Sequence, residues 1–132
     1  MGLQLFPPKP AILVVDDDRD TVDSTVLVLG LLGYEAEGVY GADEALAAAR
    51  LRPPRAVLLD AAMPGLDGYA LARQLRLLPG MADTLIICVS GYGTPDHRAR
   101  ALAAGCDLHF IKPIDWQELA RALAGERHKE PA

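Results

Sequence analysis

A chain of 132 residues that is 51% hydrophobic is sized for one domain with a real core. Its formal net charge of −5 argues against nonspecific nucleic-acid binding by this chain alone. No apolar run approaches the ~20 residues of a membrane span, and the N-terminus lacks the charged start and long apolar stretch of a signal peptide.

In chain order, residues 1–9, with Pro7, Pro8 and the following Pro10, read as a leader or linker. The folded unit is expected over 10–125, with a polar tail over 126–132. A first apolar strand falls at about 11–15 and a helix at about 20–32, with Val22, Val26 and Leu29 on one face and Gly33 as its stop. The second strand, about 35–39, is the least apolar and belongs at an edge; an Ala-rich helix at about 42–51 ends before Pro53-Pro54. The third strand is expected at about 56–59, followed by a tight loop, Met63-Pro64-Gly65-Leu66-Asp67-Gly68, and a helix at about 68–78. A fourth strand at about 84–89 precedes a helix at about 95–104, with Thr94 as cap, Pro95 at its first position and Gly105 as stop. The fifth strand, about 107–111, precedes a helix at about 115–124 opened by Asp115 and Glu118 at capping-box spacing. Cys88 and Cys106 sit in or beside these strands. They are too few for a disulfide framework and are expected to be buried free thiols in a reducing, cytoplasmic setting.

This alternation predicts an α/β fold, (βα)5: a doubly wound, parallel five-stranded sheet in the flavodoxin-like order 2-1-3-4-5 counted along the chain. Each apolar strand runs into a polar residue: Val15 into Asp16-Asp17-Asp18, Leu59 into Asp60, Val89 into Ser90, and Ile111 into Lys112-Pro113. Ligands of such sheets bind beyond the carboxyl ends of the strands, so these side chains should converge on one pocket. Carboxylates crowded there need a cation. A hard cation such as Mg²⁺ takes oxygen ligands and keeps several waters, and Mn²⁺ accepts the same donors. Asp17 and Asp60 are the expected direct ligands, Asp16 a direct or water-mediated partner, and the backbone carbonyl of Ala62 one more. Asp18 and Asp20 fall at the opening of the first helix, where acids cap and favour the dipole. Asp60 stands alone and suits a carboxylate nucleophile for a phosphoryl group; Lys112 and Ser90 supply an ammonium and a hydroxyl for its oxygens. Lys112 is held extended by Pro113, across a peptide bond of the kind that tolerates the cis form.

The motifs Val14-Val15-Asp16-Asp17, Leu58-Leu59-Asp60 with Met63 to Gly68, Val89-Ser90-Gly91, and Phe110-Ile111-Lys112-Pro113 occur in order at strand ends. With them, the chain resembles the receiver domain of a two-component response regulator over roughly residues 10–124. The resemblance implies a signalling domain rather than an enzyme, one that assists its own phosphorylation and dephosphorylation. It implies Asp60 as phosphoacceptor, Asp16 and Asp17 as the acid pair, Ser90 as switch hydroxyl and Lys112 as the phosphate-binding lysine. The phosphodonor would be a histidine kinase or a histidine phosphotransfer protein docking near the first helix. The output partner would read the face made by the fourth helix, fifth strand and fifth helix, where Arg98, Arg100, Trp116 and Arg121 are surface candidates. The stretch Gly91 to Arg100, with His109 and Lys112-Pro113, is further similar to receivers of hybrid sensor kinases, which work in phosphorelays.

Three positions depart from the pattern. His109 stands where the family usually carries Tyr or Phe three residues before the lysine; it is smaller and titrates near neutral pH, which points to a weaker or pH-sensitive switch. Phe110 should point to the opposite side and into the core. Tyr92 and Ala62 should line the mouth of the pocket, Tyr92 covering the phosphoryl group and Ala62 offering no hydrogen bond to an attacking water, so that the phosphorylated state lasts. Two other readings compete. One is a haloacid-dehalogenase-like phosphatase with Asp16 as nucleophile, disfavoured by Asp20 two beyond Asp18, where that family prefers Thr or Val, and by the short chain. The other is a degenerate receiver that binds partners without being phosphorylated.

Overall fold

The computed structural model describes residues 11–63, 66–91 and 93–125. Tyr92, Pro64, Gly65, the leader and the tail lie outside these described residues. The elements run β1 (Ala11–Val15), α1 (Arg19–Leu31), β2 (Glu35–Val39), α2 (Ala42–Leu51), β3 (Ala56–Asp60), β4 (Ala62–Met63), β5 (Leu66–Asp67), α3 (Gly68–Arg76), β6 (Leu85–Ser90), α4 (Pro95–Ala103), β7 (Leu108–Ile111) and α5 (Trp116–Leu123).

Five parallel strands form one sheet in the order β2-β1-β3-β6-β7, which is the expected order once the small β4–β5 pair is set aside. Because neighbouring residues of a strand face opposite ways, β1, β3 and β6 each feed two cores. Leu13, Val15, Val57, Leu59, Ile86 and Cys88 pack with Ala45 and Ala49 of α2, Leu71 and Leu75 of α3 and Ala101 of α4. Ile12, Val14, Leu58, Ile87, Val89 and Phe110 pack with Val22 and Leu29 of α1 and Leu119 and Leu123 of α5. Phe110 is thus core, as expected. β2 is an edge strand with an alternating, half-exposed pattern, which explains its poor hydrophobicity.

The helix starts follow their caps. Asp18 accepts hydrogen bonds from the N–H groups of Asp20 and Thr21, Thr94 from that of His97, and Asp115 from those of Gln117 and Glu118. Several element ends shift by one residue, and two differences are larger. The third helix ends at Arg76 rather than 78, because Leu78 N–H turns back to the Leu75 carbonyl in a tightened last turn ahead of Pro79. The loop after the third strand contains a two-stranded antiparallel pair, Ala62 opposite Asp67 and Met63 opposite Leu66, which is too short to carry a strand pattern. This hairpin returns the chain against the end of β3. At Gly68 a Cβ atom would sit 2.5 Å from the Asp60 carbonyl oxygen and 2.7 Å from Ala61 Cα, so only glycine allows that approach. Among the described residues no helix is long and apolar enough to cross a membrane.

Candidate functional site

Asp16, Asp60, Ser90 and Lys112 each lie at or one residue past the carboxyl end of a sheet strand. Asp16 is held there by its own N–H, which donates to the Val39 carbonyl at 3.3 Å. Ala61 N–H donates to the Val89 carbonyl (2.9 Å) and Lys112 N–H to that of Ser90 (2.9 Å), so the ladders extend past the strands and fix the edge of the site. Lys112-Pro113 is a cis peptide bond.

One carboxylate oxygen from each of Asp16, Asp17 and Asp60 can be chosen so that all three lie within 4.8 Å of one another. Asp16 and Asp60 are buried, at 6% and 7% exposure, and Asp17 is exposed. Asp60 Oδ1 accepts a hydrogen bond from Ala62 N–H at 3.2 Å and lies 3.4 Å from Lys112 Nζ. Asp16 Oδ1 accepts from Asp18 N–H at 3.0 Å. This donor set of hard oxygens suits a divalent cation such as Mg²⁺. The hairpin places Ala62 beside Asp60, with its side chain exposed.

Burial pushes the Asp16 carboxyl up from 3.8 to about 6, with the charge of Asp60 adding to it and the Asp18 N–H and Lys112 opposing. The folded protein therefore holds this proton more tightly than the unfolded chain does. Stability supplied by the neutral form is lost as pH rises from 3.8 to about 6, and above that the metal-free fold carries the full cost. Asp16→Asn keeps the acceptor for Asp18 and removes the charge. It is expected to raise the metal-free melting temperature at neutral pH, by roughly 1–3 kcal/mol in stability, and to diminish any further rise on adding Mg²⁺. Differential scanning fluorimetry with and without Mg²⁺ checks both; an unchanged Mg²⁺ response would remove Asp16 from the cation site.

Ser90 is 1% exposed, and its Oγ lies 3.4 Å from Nε2 of the half-buried His109. The imidazole therefore faces Ser90, while Phe110 turns away into the core. Burial first, then electrostatic repulsion from the Arg98 and His97 side of α4, lower the His109 pKa below its ordinary 6.5. The unfolded chain then takes up this proton before the folded one does. The His109 contribution is complete above about 6.5 and falls as pH drops toward the lowered folded value. The drop in melting temperature between pH 7.5 and 5.5 is expected to be smaller in His109→Phe than in wild type; an equal drop would reject this account.

A cavity of about 650 Å³ opens beside the acid cluster. Its lining includes Asp16, Asp60 and Lys112, and from α1 and α5 also Asp20, Thr21, Thr25 and Trp116. Sequence reasoning did not place Thr21 and Thr25 here. The signal was Thr25, a hydroxyl residue at an inward position between Val22 and Leu29.

The parallel order, with four polar side chains at the carboxyl edge, finds its counterpart in known proteins. The family model described as "Response regulator receiver domain" matches residues 12–124. The chain belongs to the response regulator receiver family. This receiver domain is 38% identical over 122 residues to the response regulator MprA of Mycobacterium tuberculosis, covering 91% of this chain and 52% of that protein. It is 36% identical over 111 residues to the transcriptional regulatory protein PrrA of the same organism, covering 84% and 47%. The chain thus spans about half the length of these relatives. Among solved structures, a CheY-like response regulator receiver domain protein from Methanospirillum hungatei superposes with a TM-score of 0.78 at 32% identity, over 89% of this chain and 93% of that one. Receiver domains are signalling domains of two-component systems, and the expectations drawn from resemblance for fold and family hold for this receiver.

Proposed function

We propose that this receiver accepts a phosphoryl group on Asp60 from the phosphohistidine of a histidine kinase or histidine phosphotransfer protein, in a reaction that requires Mg²⁺ or Mn²⁺. The observation that carries this reading is the pairing of the buried Asp60 carboxylate with Lys112 inside a three-carboxylate cluster. Asp60 presents an oxygen to phosphorus as the donor's P–N bond breaks, and the donor imidazole leaves as the neutral ring after taking up a proton. The backbone N–H of Ala62 keeps the carboxylate oriented. Lys112 and Ser90 supply a positive charge and a hydrogen bond to the phosphoryl oxygens. Asp16, Asp17, Asp60 and the Ala62 carbonyl would hold the cation, which when bound neutralises phosphoryl charge from the other side. Asp16 as the phosphoacceptor is disfavoured, because Lys112 is ion-paired to Asp60.

Once phosphorylated, Asp60 draws Ser90 and Lys112 inward and biases the face formed by α4, β7 and α5. Leu102, Ile111 and Trp116 are exposed on those elements, at 52%, 51% and 37%, and suit a partner that reads that face. On α1, Leu27 and Leu31 are exposed at 66% and 81%, which favours donor docking there. Tyr92, the expected cover of the phosphoryl group, lies outside the described residues.

Incubating the chain with acetyl phosphate and Mg²⁺ and recording intact masses tests the proposal. A gain of one phosphoryl group supports it. Absence of both an adduct and a Mg²⁺-induced stabilisation would move the reading to a phosphorylation-independent interaction module.

A further inference from the structure

Cys88 and Cys106 lie on the sheet face away from α1 and α5, in the core cluster that includes Tyr69, Ala72, Ala101 and Ala104. Cys88 belongs to β6 and Cys106 to the turn between α4 and β7, 18 positions on. Their burial agrees with the sequence reading, but their proximity was not expected. The two Sγ atoms are 2.6 Å apart, only about half an ångström beyond a covalent S–S bond. Backbone bonds hold this approach from both sides. Cys106 N–H donates to the Ala101 carbonyl at 3.0 Å, closing the turn after α4, and Asp107 N–H donates to the Ile86 carbonyl at 2.8 Å, fixing the start of β7 to β6. The hydrogen bond to Cys106 and burial push the Cys88 thiol well up, and both cysteines are buried while the fold is closed.

We propose that Cys88 and Cys106 are an oxidation site at which a hydroperoxide forms a reversible intramolecular disulfide that ties the turn after α4 to β6. Cys106, 4% exposed against 0% for Cys88, is the sulfur reached first, when the turn around Gly105 opens. Its thiolate attacks one peroxide oxygen, the O–O bond breaks, and the released hydroxide takes up a proton to leave as water. The sulfenic acid then faces Cys88. Cys88 sulfur attacks the sulfenic sulfur, the S–O bond breaks, and the hydroxyl leaves as a second water with the Cys88 proton. Two thiols and one hydrogen peroxide thus give one disulfide and two waters. The bridge encloses the whole of α4 and lies two residues from Ser90, so the oxidised chain has less freedom in the helix that carries part of the proposed output face.

The test uses the full chain, treated with hydrogen peroxide or with a phosphine reductant, quenched, unfolded in guanidinium and alkylated with iodoacetamide. The reduced chain is expected to take two labels. The oxidised chain should take none, weigh two hydrogens less, recover both labels after reduction, and melt several degrees higher, since the bridge closes a loop in the unfolded chain. Cys88→Ala should take one label when reduced and show no two-hydrogen loss after peroxide. Two labels persisting after peroxide, conversion to sulfinic acid or disulfide-linked dimers, or a lower melting temperature in the bridged form would each overturn the proposal.

Discussion

Asp60→Asn is expected to take up no phosphoryl group under conditions that modify the wild-type chain, while melting no lower than it. The first half follows from the proposed chemistry. An amide oxygen is a poor nucleophile, and the other carboxylates of the cluster differ from Asp60 in place: Asp17 is exposed, and Asp16 faces Asp18 N–H. The second half follows from geometry. The asparagine keeps an Oδ1 acceptor for Ala62 N–H, and it removes one of three negative charges gathered within 4.8 Å. It also leaves Lys112, whose side chain is 44% exposed, free to turn to solvent. Stability and chemistry therefore separate at this position. Intact mass after acetyl phosphate treatment reads the first, and thermal unfolding the second. An adduct that persists at full occupancy in the variant would transfer the phosphoacceptor role to another residue, with Asp16 the first to test.

Arg76→Leu is expected to cost as much stability as truncating a large core side chain, while leaving phosphorylation intact in the folded fraction. The guanidinium at the end of α3 donates from Nη1 to the carbonyls of Met81 (2.9 Å), Ala82 (3.4 Å) and Thr84 (2.8 Å). From Nε and Nη2 it donates to the Gly105 carbonyl (3.2 and 2.8 Å), and from Nη2 to Asp107 Oδ2 at 2.8 Å. The same Asp107 carboxylate oxygen accepts from Ile86 N–H at 2.9 Å. One planar cation therefore clasps the loop before β6 to the turn before β7. The leucine would remove the guanidinium donor from the carbonyls of Ala82, Thr84 and Gly105, while Met81 keeps Thr84 N–H and Asp107 keeps Ile86 N–H. The cost is about 3–5 kcal/mol, most of it from unsatisfied acceptors rather than the ion pair, which alone is worth little. That corresponds to a fall in melting temperature of roughly 10–20 °C for a domain of this size. Arg76→Lys should recover little, because one ammonium cannot serve acceptors on both loops. Urea denaturation of the three proteins decides it: a lysine variant as stable as wild type would mean the fork geometry is unimportant. The clasp sits at the amino ends of β6 and β7, and Asp60 at the carboxyl edge, which is why phosphorylation should survive.

Strand order and the line of polar side chains were legible because they depend on local, repetitive facts. An apolar run of four or five residues ending in Asp60 or Lys112 states both a buried strand and where it stops. Right-handed crossovers then leave few ways to order five such strands. Caps at Asp18, Thr94 and Asp115 were legible for the same reason, since a cap bonds within two or three residues of itself. The two-residue strands after Asp60 were not, being too short for a period to form.

By itself the sequence determined the receiver fold, the family and the candidate residues Asp16, Asp17, Asp60, Ser90 and Lys112. It could not reach features made by partners far apart in the chain. That His109 faces Ser90, that Thr25 lines a cavity beside the acids, that Cys88 meets Cys106, and that Arg76 reaches Asp107 were decided by tertiary structure alone. Each joins positions that no periodicity links, and a side chain's partner is set by which elements the sheet brings side by side, not by its neighbours along the chain.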